Sequence, residues 1–261
     1  MKNTILIFIS LLIINKITAQ NNDSISLEKY CPTKQGQEGA ICFAYATTYT
    51  ALSIEHNIRE NKTDESLNNF NSFSYGFVAS KVKKNKPFFG RLFNRCGRNA
   101  TAKLALEVLK KNGTVSYQDF EEKCDCGKTK KVLEEAKEYK IKNFNIVGNK
   151  NSLDKEHIEK IKQNLLNKKP VVTTILQESF FYNSNGKDDI LFPANYVKKE
   201  NFANHVVCIV GYDDNYNGGS FIVKNNYKSW GKNGFSYVKY DDFIKQSSLN
   251  FKITHIKPIV S

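Results

Sequence analysis

The pattern of apolar residues changes at Pro170, and this change is the strongest constraint on the fold. Before Pro170, apolar residues recur with the period of an amphipathic helix, and we expect helices at about 42–58, 74–84, 99–113, 130–139 and 152–168. After it, runs rich in β-branched and aromatic residues predict strands at 171–177, 205–212, 220–225 and 234–240. The segment DDNYNGG, between the second and third runs, is typical of a hairpin turn.

A helical half followed by a half of antiparallel strands predicts an α+β fold with two lobes. We place the helical N-terminal lobe at about 21–150 and the C-terminal lobe, an antiparallel and barrel-like sheet, at about 151–261. Roughly 240 residues are enough for one such domain with a continuous core. A cleft between the two lobes is the natural position for a functional site.

The first twenty residues have the composition of a secretory signal peptide. Lys2 supplies a positive charge, residues 5–14 form an apolar run, and Thr18-Ala19-Gln20 provides small residues near a cleavage point. A membrane anchor is the alternative, but the apolar run is shorter than the roughly 20 residues that span a bilayer. We therefore expect cleavage near Ala19-Gln20 and a secreted or periplasmic protein whose mature form, 21–261, has no transmembrane segment.

The chain is strongly basic, with a formal net charge of +13 that falls to +11 when Lys2 and Lys16 leave with the signal peptide. The densest basic cluster, residues 80–95, interleaves aromatic residues with lysine and arginine, as do surfaces that bind nucleic acid, anionic glycans or membrane headgroups. No nucleic-acid motif accompanies it. We therefore interpret the cluster as a solvated surface loop and expect no specific nucleic-acid partner.

Six cysteines occur, and their spacing does not match a metal site. Cys124 and Cys126 form the single close pair, with one intervening residue and no clustered histidines, so we expect neither a metal nor another cofactor. In an exported chain, disulfide bonds are the simpler explanation for some of the six.

Cys42 is the best candidate for a reactive residue. It follows a glycine-containing loop and opens a predicted helix, whose N-terminal end stabilises a thiolate. A thiol with an ordinary pKa of about 8.5 also needs an imidazole nearby to act as a nucleophile at neutral pH. His205 heads an apolar strand, unlike the other three histidines, His56, His157 and His255. Asn225 ends the next strand, where its amide would orient the His205 ring.

These residues stand in motifs that resemble the papain-like cysteine peptidases. The order Cys, His, Asn occurs in QGQEGAICFAYA, NHVVCIVGY and VKNNYKSWGKNGF, and the resemblance covers nearly the whole mature chain. It is to a bacterial-type member of peptidase family C1 without a long propeptide. The resemblance implies the two-lobe fold, a cysteine-type peptidase activity without cofactor, and hydrolysis of protein or peptide bonds through a thioester acyl-enzyme.

The resemblance also implies roles for individual residues. Cys42 matches the nucleophile, His205 the general base, Asn225 the orienting amide and Gln35 the side-chain donor of the oxyanion hole. The loop before Cys42 is one residue longer than in the family, which makes Gln37 an alternative oxyanion donor. The resemblance further implies that Trp230 shields the His–Asn pair. The residues implied to line the substrate cleft are Gly97, Asn99, Thr174, Val206 and Trp230.

The sequence departs from the family beside two of these residues. Phe43 replaces a tryptophan after the nucleophile, and Asn226-Tyr227 replaces a Ser-Trp pair after the orienting amide. The remaining cysteines fit the family picture as one buried thiol, Cys208, and two disulfides. Those disulfides would join Cys31, Cys96, Cys124 and Cys126, with Cys96 bonded to Cys124 or Cys126 as the favoured pairing and the others left open.

We therefore expect a secreted thiol protease, acting either as an endopeptidase or as an aminopeptidase-like hydrolase. One alternative is a catalytically impaired papain-fold binding protein, in which the longer loop has disabled turnover. Another is an amidase or acyl-transfer toxin that uses the same three residues. The expected partners are a protein or peptide substrate and a proteinaceous inhibitor or immunity partner, and we expect a monomer.

Overall fold

The computed structural model describes residues 23–33, 36–37, 39–64, 67–84, 99–120, 129–148, 154–176, 189–190, 204–227 and 229–253. The signal peptide and most of the basic cluster lie outside these ranges, as do five residues with predicted roles, Gln35, Gly97, Cys96, Cys124 and Cys126. The described residues form the expected α+β fold, with most helices in the first half of the chain and most strands in the second.

The five predicted helices are confirmed. The Cys42 helix begins as an α-helix at Cys42–Ala44, widens to a π-helix over Tyr45–Leu52 and ends as an α-helix at Ser53–Arg59. The other four are Tyr75–Lys84, Ala102–Asn112, Lys130–Glu135 and Lys155–Leu166. A short 3₁₀ helix at Glu28–Tyr30 and a helix at Tyr240–Gln246 were not predicted from the sequence.

Helix Ala102–Asn112 shows how local chemistry sets the boundaries of these helices. The Thr101 hydroxyl accepts a hydrogen bond from the N–H of Leu104 at 3.3 Å, which satisfies one free donor of the first turn. Gly113 ends the helix with φ at 75°, a conformation that favours glycine. A Cβ atom at Gly113 would also lie 1.7 Å from the carbonyl oxygen of Ala136, so a larger residue does not fit there.

The described strands form one sheet. Their bounds are β1 Ser24–Ser26, β2 Phe144–Ile146, β3 Val171–Leu176, β4 Asp189–Ile190, β5 Asn204–Asp213, β6 Ser220–Lys224, β7 Phe235–Lys239 and β8 Ser247–Ile253. Their order is β2-β8-β3-β5-β6-β7-β4, with β1 also paired to β5, and the pairs are antiparallel except for β4 with β7. The predicted strands are β3, β5, β6 and β7. Because β1 and β2 precede residue 150, the segment assigned to the helical lobe also contributes to the sheet.

Strands β5 and β6 form the predicted hairpin. Asp213 pairs with Ser220 next to the turn, and Cys208 pairs with Lys224 at the far end of β6. Continuing this register beyond β6 brings residues 225–227 alongside His205, near the start of β5. The hairpin therefore determines which side chains surround the His205 ring.

The Cys42 helix packs against β3 and β5, and helix Ala102–Asn112 packs against both the Cys42 helix and β3. Phe43, Leu106 and Val207 belong to the same buried core, which joins the helices to the sheet. Each such side chain contributes roughly 1.5–3 kcal/mol when it is removed from water. This packing holds the start of the Cys42 helix on β5. Within the described ranges, no helix has the length and apolar character needed to cross a membrane.

Candidate active site

Cys42 is the first residue of its helix and is buried. Burial raises the pKa of the Cys42 thiol, and the backbone N–H groups of Val206, Phe43 and Cys42 itself act in the opposite direction, because they stabilise the thiolate. Two of these amides belong to the first turn of the helix. The third lies on β5, next to His205. The sulfur of Cys42 therefore lies where the helix N-terminus meets the strand that carries His205.

His205 is buried, and Asn225 binds one of its two ring nitrogens. The distance from His205 Nε2 to Asn225 Oδ1 is 2.9 Å, and Oδ1 also accepts the backbone N–H of Asn226 at 2.8 Å. Burial lowers the pKa of His205 to about 4, and the hydrogen bond with Asn225 acts against this decrease. The structure thus brings His205 and Asn225 together as predicted, in a site that favours the neutral imidazole.

Tyr227 contacts the His205 ring at the second ring nitrogen and across one face. The two rings are stacked, with centroids 4.5 Å apart and planes at 18°, and the Tyr227 hydroxyl lies 3.0 Å from His205 Nδ1. The sequence analysis noted Tyr227 only as a substitution and gave it no role. The signal that could have pointed to this contact is the position of Tyr227 two residues after Asn225: the register of β6 against β5, extended beyond Lys224, brings it opposite His205.

Trp230, predicted to shield the His–Asn pair, is buried next to this site. Its backbone N–H donates to the carbonyl oxygen of Tyr227 at 3.4 Å, and its own carbonyl accepts from Gly234 at 3.0 Å. The shielding role of Trp230 stays a prediction. The ring that the structure places against His205 by a measured stacking contact is that of Tyr227.

The loop before Cys42 is attached to the turn that follows Asn225. The backbone N–H groups of Gly36 and Gln37 both donate to the carbonyl oxygen of Asn226, each at 2.9 Å. The side-chain amide of Gln37 donates to the carbonyl of Gly39 at 2.8 Å, and its Oε1 atom is buried without a hydrogen-bond partner. Gln37 therefore stabilises its own loop in this conformation, with one of its two amide hydrogens engaged.

Three of the predicted cleft residues lie near these groups. Thr174 on β3 pairs with Val206 on β5, and the next pair in the register contains His205. Thr174 and Val206 are therefore neighbours of His205 in the sheet. Asn99 is exposed, and its backbone N–H donates to the carbonyl of Ala40 at 3.0 Å, two residues before Cys42. Their contacts with substrate stay predictions.

Cys208 and Cys31 are both fully buried. Cys208 was predicted as a buried thiol, and its burial confirms this. Burial raises the pKa of the Cys208 thiol well above its usual range. Cys31 was predicted to form a disulfide with Cys96, Cys124 or Cys126; these three lie outside the described residues, so the pairing stays a prediction. The Cys31 Sγ lies 3.5 Å from the carbonyl oxygen of Leu27. No disulfide joins the cysteines within the described ranges.

A cysteine at a helix N-terminus, packed against a strand that carries a hydrogen-bonded His–Asn pair, is the arrangement of a papain-like cysteine peptidase. The chain belongs to the family described as Peptidase_C39 like family, whose model matches residues 88–251. This range contains His205 and Asn225, and Cys42 precedes it. The protein is therefore a cysteine-type peptidase, a hydrolase of the thiol protease class, and its narrower assignment to family C1 stays a prediction.

Solved structures show the same fold. Xylellain, a cysteine protease from Xylella fastidiosa, is similar with a TM-score of 0.66 and 20% identity, over 90% of this chain and 87% of xylellain. The digestive procathepsin L 3 of the Tenebrio molitor larval midgut is similar with a TM-score of 0.64 and 14% identity, over 89% of this chain and 70% of its own. At these identities the likeness establishes the fold alone. No curated protein sequence matches the chain.

Proposed function

We propose that the protein cleaves peptide bonds with Cys42 as nucleophile, His205 as general base and acid, and Asn225 as the residue that orients the imidazole. The observation that carries this proposal is the hydrogen bond between His205 and Asn225 on the hairpin against which Cys42 packs. Of the histidines in the described ranges, His205 is the one that lies on the strand against which the start of the Cys42 helix packs. His56 lies on the Cys42 helix itself, about four turns from its start at 3.6 residues per turn.

The two nitrogens of the imidazole ring have different roles in the reaction. Because Nε2 is bound to Asn225, Nδ1 is the nitrogen that takes the proton from the Cys42 thiol. The sulfur then attacks the carbonyl carbon, and the C–N bond breaks as Nδ1–H protonates the leaving amine. A water molecule hydrolyses the resulting thioester, with Nδ1 again accepting a proton, and this step regenerates the thiol.

The negative charge on the carbonyl oxygen needs hydrogen-bond donors in the site. The backbone N–H of Cys42 is one donor in this proposal. Gln35 is the second, by its resemblance to the family position. Gln37 is the alternative, and it would have to turn its amide away from Gly39 or use its second amide hydrogen.

We also propose that the peptidase is exported and acts on extracellular or periplasmic proteins. The support is the signal-peptide composition of residues 1–20. The basic surface, with a net charge of +11 after removal of that segment, favours encounter with acidic substrates by long-range attraction.

A covalent probe tests the nucleophile. A vinyl-sulfone peptide under reducing conditions should label the protein on Cys42, and Cys42→Ala should abolish both labelling and turnover. His205→Ala should lower turnover by roughly 10³-fold or more, as expected for loss of a triad member. Cys208→Ala is the matched control, because this thiol is fully buried three residues from His205, and its labelling should be unchanged from the wild-type protein.

The outcomes separate the candidate functions. Folded protein that carries no adduct on Cys42 would contradict a cysteine nucleophile and favour the binding-protein alternative. Labelled protein that cleaves small amides or transfers acyl groups to amines, but leaves peptide libraries intact, would favour the amidase or acyl-transfer alternative. Cleavage within long peptides, compared with release of single N-terminal residues, distinguishes an endopeptidase from an aminopeptidase.

A further inference from the structure

We propose that Tyr227 is a hydroxyl cap on the general base: it holds His205 in a resting state, and hydrolysis begins only after the hydroxyl has left Nδ1. The proposal rests on the proposed function, in which His205 serves Cys42. Its basis is the position of the Tyr227 hydroxyl, 3.0 Å from His205 Nδ1, with the phenol ring stacked on the imidazole.

The hydrogen bonds around Asn225 establish which atoms donate. The backbone N–H of Asn226 points at Asn225 Oδ1 at 2.8 Å, so this atom is an acceptor and has to be the oxygen of the amide. His205 Nε2, which lies 2.9 Å from the same oxygen, must therefore be the protonated nitrogen. In the neutral ring Nδ1 is then unprotonated, and the Tyr227 O–H donates to its lone pair.

That lone pair is the one that the reaction needs. The thiol proton of Cys42 moves to Nδ1, and this transfer requires that the Tyr227 hydroxyl proton no longer occupies the same lone pair. The phenol keeps its own proton throughout, so proton balance between the thiol and the imidazole is unchanged. Tyr227 thus competes with the thiol for one atom and stabilises the neutral form of His205.

The surroundings of His205 reinforce this resting state. His205 is buried, and its neighbours in the sheet, Val206 on β5 and Ile175 on β3, carry no charge. Among the described residues, the Asn225 amide and the Tyr227 phenol contact the two ring nitrogens. Tyr227 is itself only half-buried and packs against the edge of the core. Binding of substrate in the cleft is the event that we expect to displace it.

Tyr227→Phe removes the hydroxyl and keeps the stacked ring. Loss of one net hydrogen bond to Nδ1 should make Cys42 react roughly 2- to 10-fold faster with iodoacetamide at neutral pH. The rate is followed by mass spectrometry of the Cys42 peptide between pH 4 and 9. The plateau rate should rise and the acid limb should move to higher pH, because the neutral imidazole loses a stabilising hydrogen bond. Tyr237→Phe is the matched control, because Tyr237 is also half-buried and stacked on an aromatic ring, that of Tyr216. It should leave the profile unchanged.

The double variant Tyr227→Phe/His205→Ala shows whether the effect passes through the imidazole. The acceleration should vanish in the His205→Ala background. An unchanged or slower rate in Tyr227→Phe, an acceleration that persists without His205, or the same acceleration in Tyr237→Phe would each overturn the cap. If His205→Ala alone does not slow alkylation, the proposed function fails as well; if it does and Tyr227→Phe has no effect, only the cap fails.

A second measurement does not depend on activity. In ¹⁵N spectra of the wild-type protein, His205 should show the Nε2–H tautomer with Nδ1 as a hydrogen-bond acceptor, identified by its loss in His205→Ala. In Tyr227→Phe the Nδ1 resonance should move to the position of an unbound imidazole nitrogen. A Nδ1 resonance that is the same in both proteins would contradict the cap even if Tyr227→Phe proved less stable.

Discussion

Asn225 and Asn226 are adjacent, buried asparagines whose side chains differ in hydrogen bonding. Asn225 Oδ1 accepts from both His205 Nε2 and the N–H of Asn226, and its Nδ2 has no hydrogen-bond partner, whereas neither side-chain atom of Asn226 has one. Asn225→Ala would therefore leave two buried donors without an acceptor. Asn226→Ala would remove a buried amide that is already unsatisfied, and it would keep the backbone carbonyl that binds the loop before Cys42.

The magnitudes follow from these contacts. A buried polar group left without a partner costs about 1–3 kcal/mol. Asn225→Ala leaves two donors unsatisfied and removes the unsatisfied Nδ2, so it should lower the free energy of unfolding by about 1–3 kcal/mol. For Asn226→Ala, relief of the unsatisfied amide offsets the small cavity, and stability should stay within about 1 kcal/mol of the wild-type protein. Turnover should fall by roughly 10²-fold in Asn225→Ala, because the imidazole loses its orientation.

Urea unfolding at neutral pH under reducing conditions measures the stabilities, provided that the slope with denaturant is equal in the three proteins. Hydrolysis of a fluorogenic peptide measures kcat/KM. The reasoning would be refuted if Asn226→Ala were destabilised as strongly as Asn225→Ala, since burial alone would then explain both. It would also be refuted if Asn225→Ala kept the wild-type kcat/KM.

Two further predictions concern stability. Gly113→Ala should cost more than Gly218→Ala in thermal unfolding: both glycines have positive φ, 75° and 78°, but only at Gly113 does a Cβ meet another group, the carbonyl of Ala136. Equal losses of about 1–3 kcal/mol would mean that backbone strain alone matters. The second prediction concerns pH: the folded protein keeps His205 neutral with a pKa of about 4, against 6.5 for an exposed histidine. Between these two values the unfolded chain binds more protons than the folded protein. The free energy of unfolding should therefore fall as pH falls through this window, by about 3 kcal/mol for this residue. His56, whose pKa burial also lowers to about 4, acts in the same direction. Urea unfolding at several pH values should show a smaller decrease in His205→Ala, and an equal decrease would contradict the assignment.

Much of the fold could be predicted because its signals are local. The cap of helix Ala102–Asn112 needs only a hydroxyl at Thr101 and a glycine at 113, and both stand next to the apolar period that they terminate. The hairpin between β5 and β6 follows from two β-branched runs and a Gly- and Asn-rich turn. That hairpin alone was enough to place Asn225 beside His205.

The strands that escaped prediction are those without such signals. β1 has three residues and β4 has two, and each is a strand because of its partner, β5 for the first and β7 for the second.

The sequence by itself determined the order of helices and strands, the hairpin, and the choice of Cys42, His205 and Asn225 as candidates. These follow from periodicity, turn chemistry and residue type, which act over a few residues or through the chemistry of single side chains. Only the tertiary structure decided that the Val206 amide lies at the Cys42 sulfur, that the Cys42 loop is bonded to Asn226, and that the Tyr227 hydroxyl occupies Nδ1 of His205. Each of these contacts joins segments distant in sequence or depends on strand register, so its geometry arises only when the helices pack on the sheet.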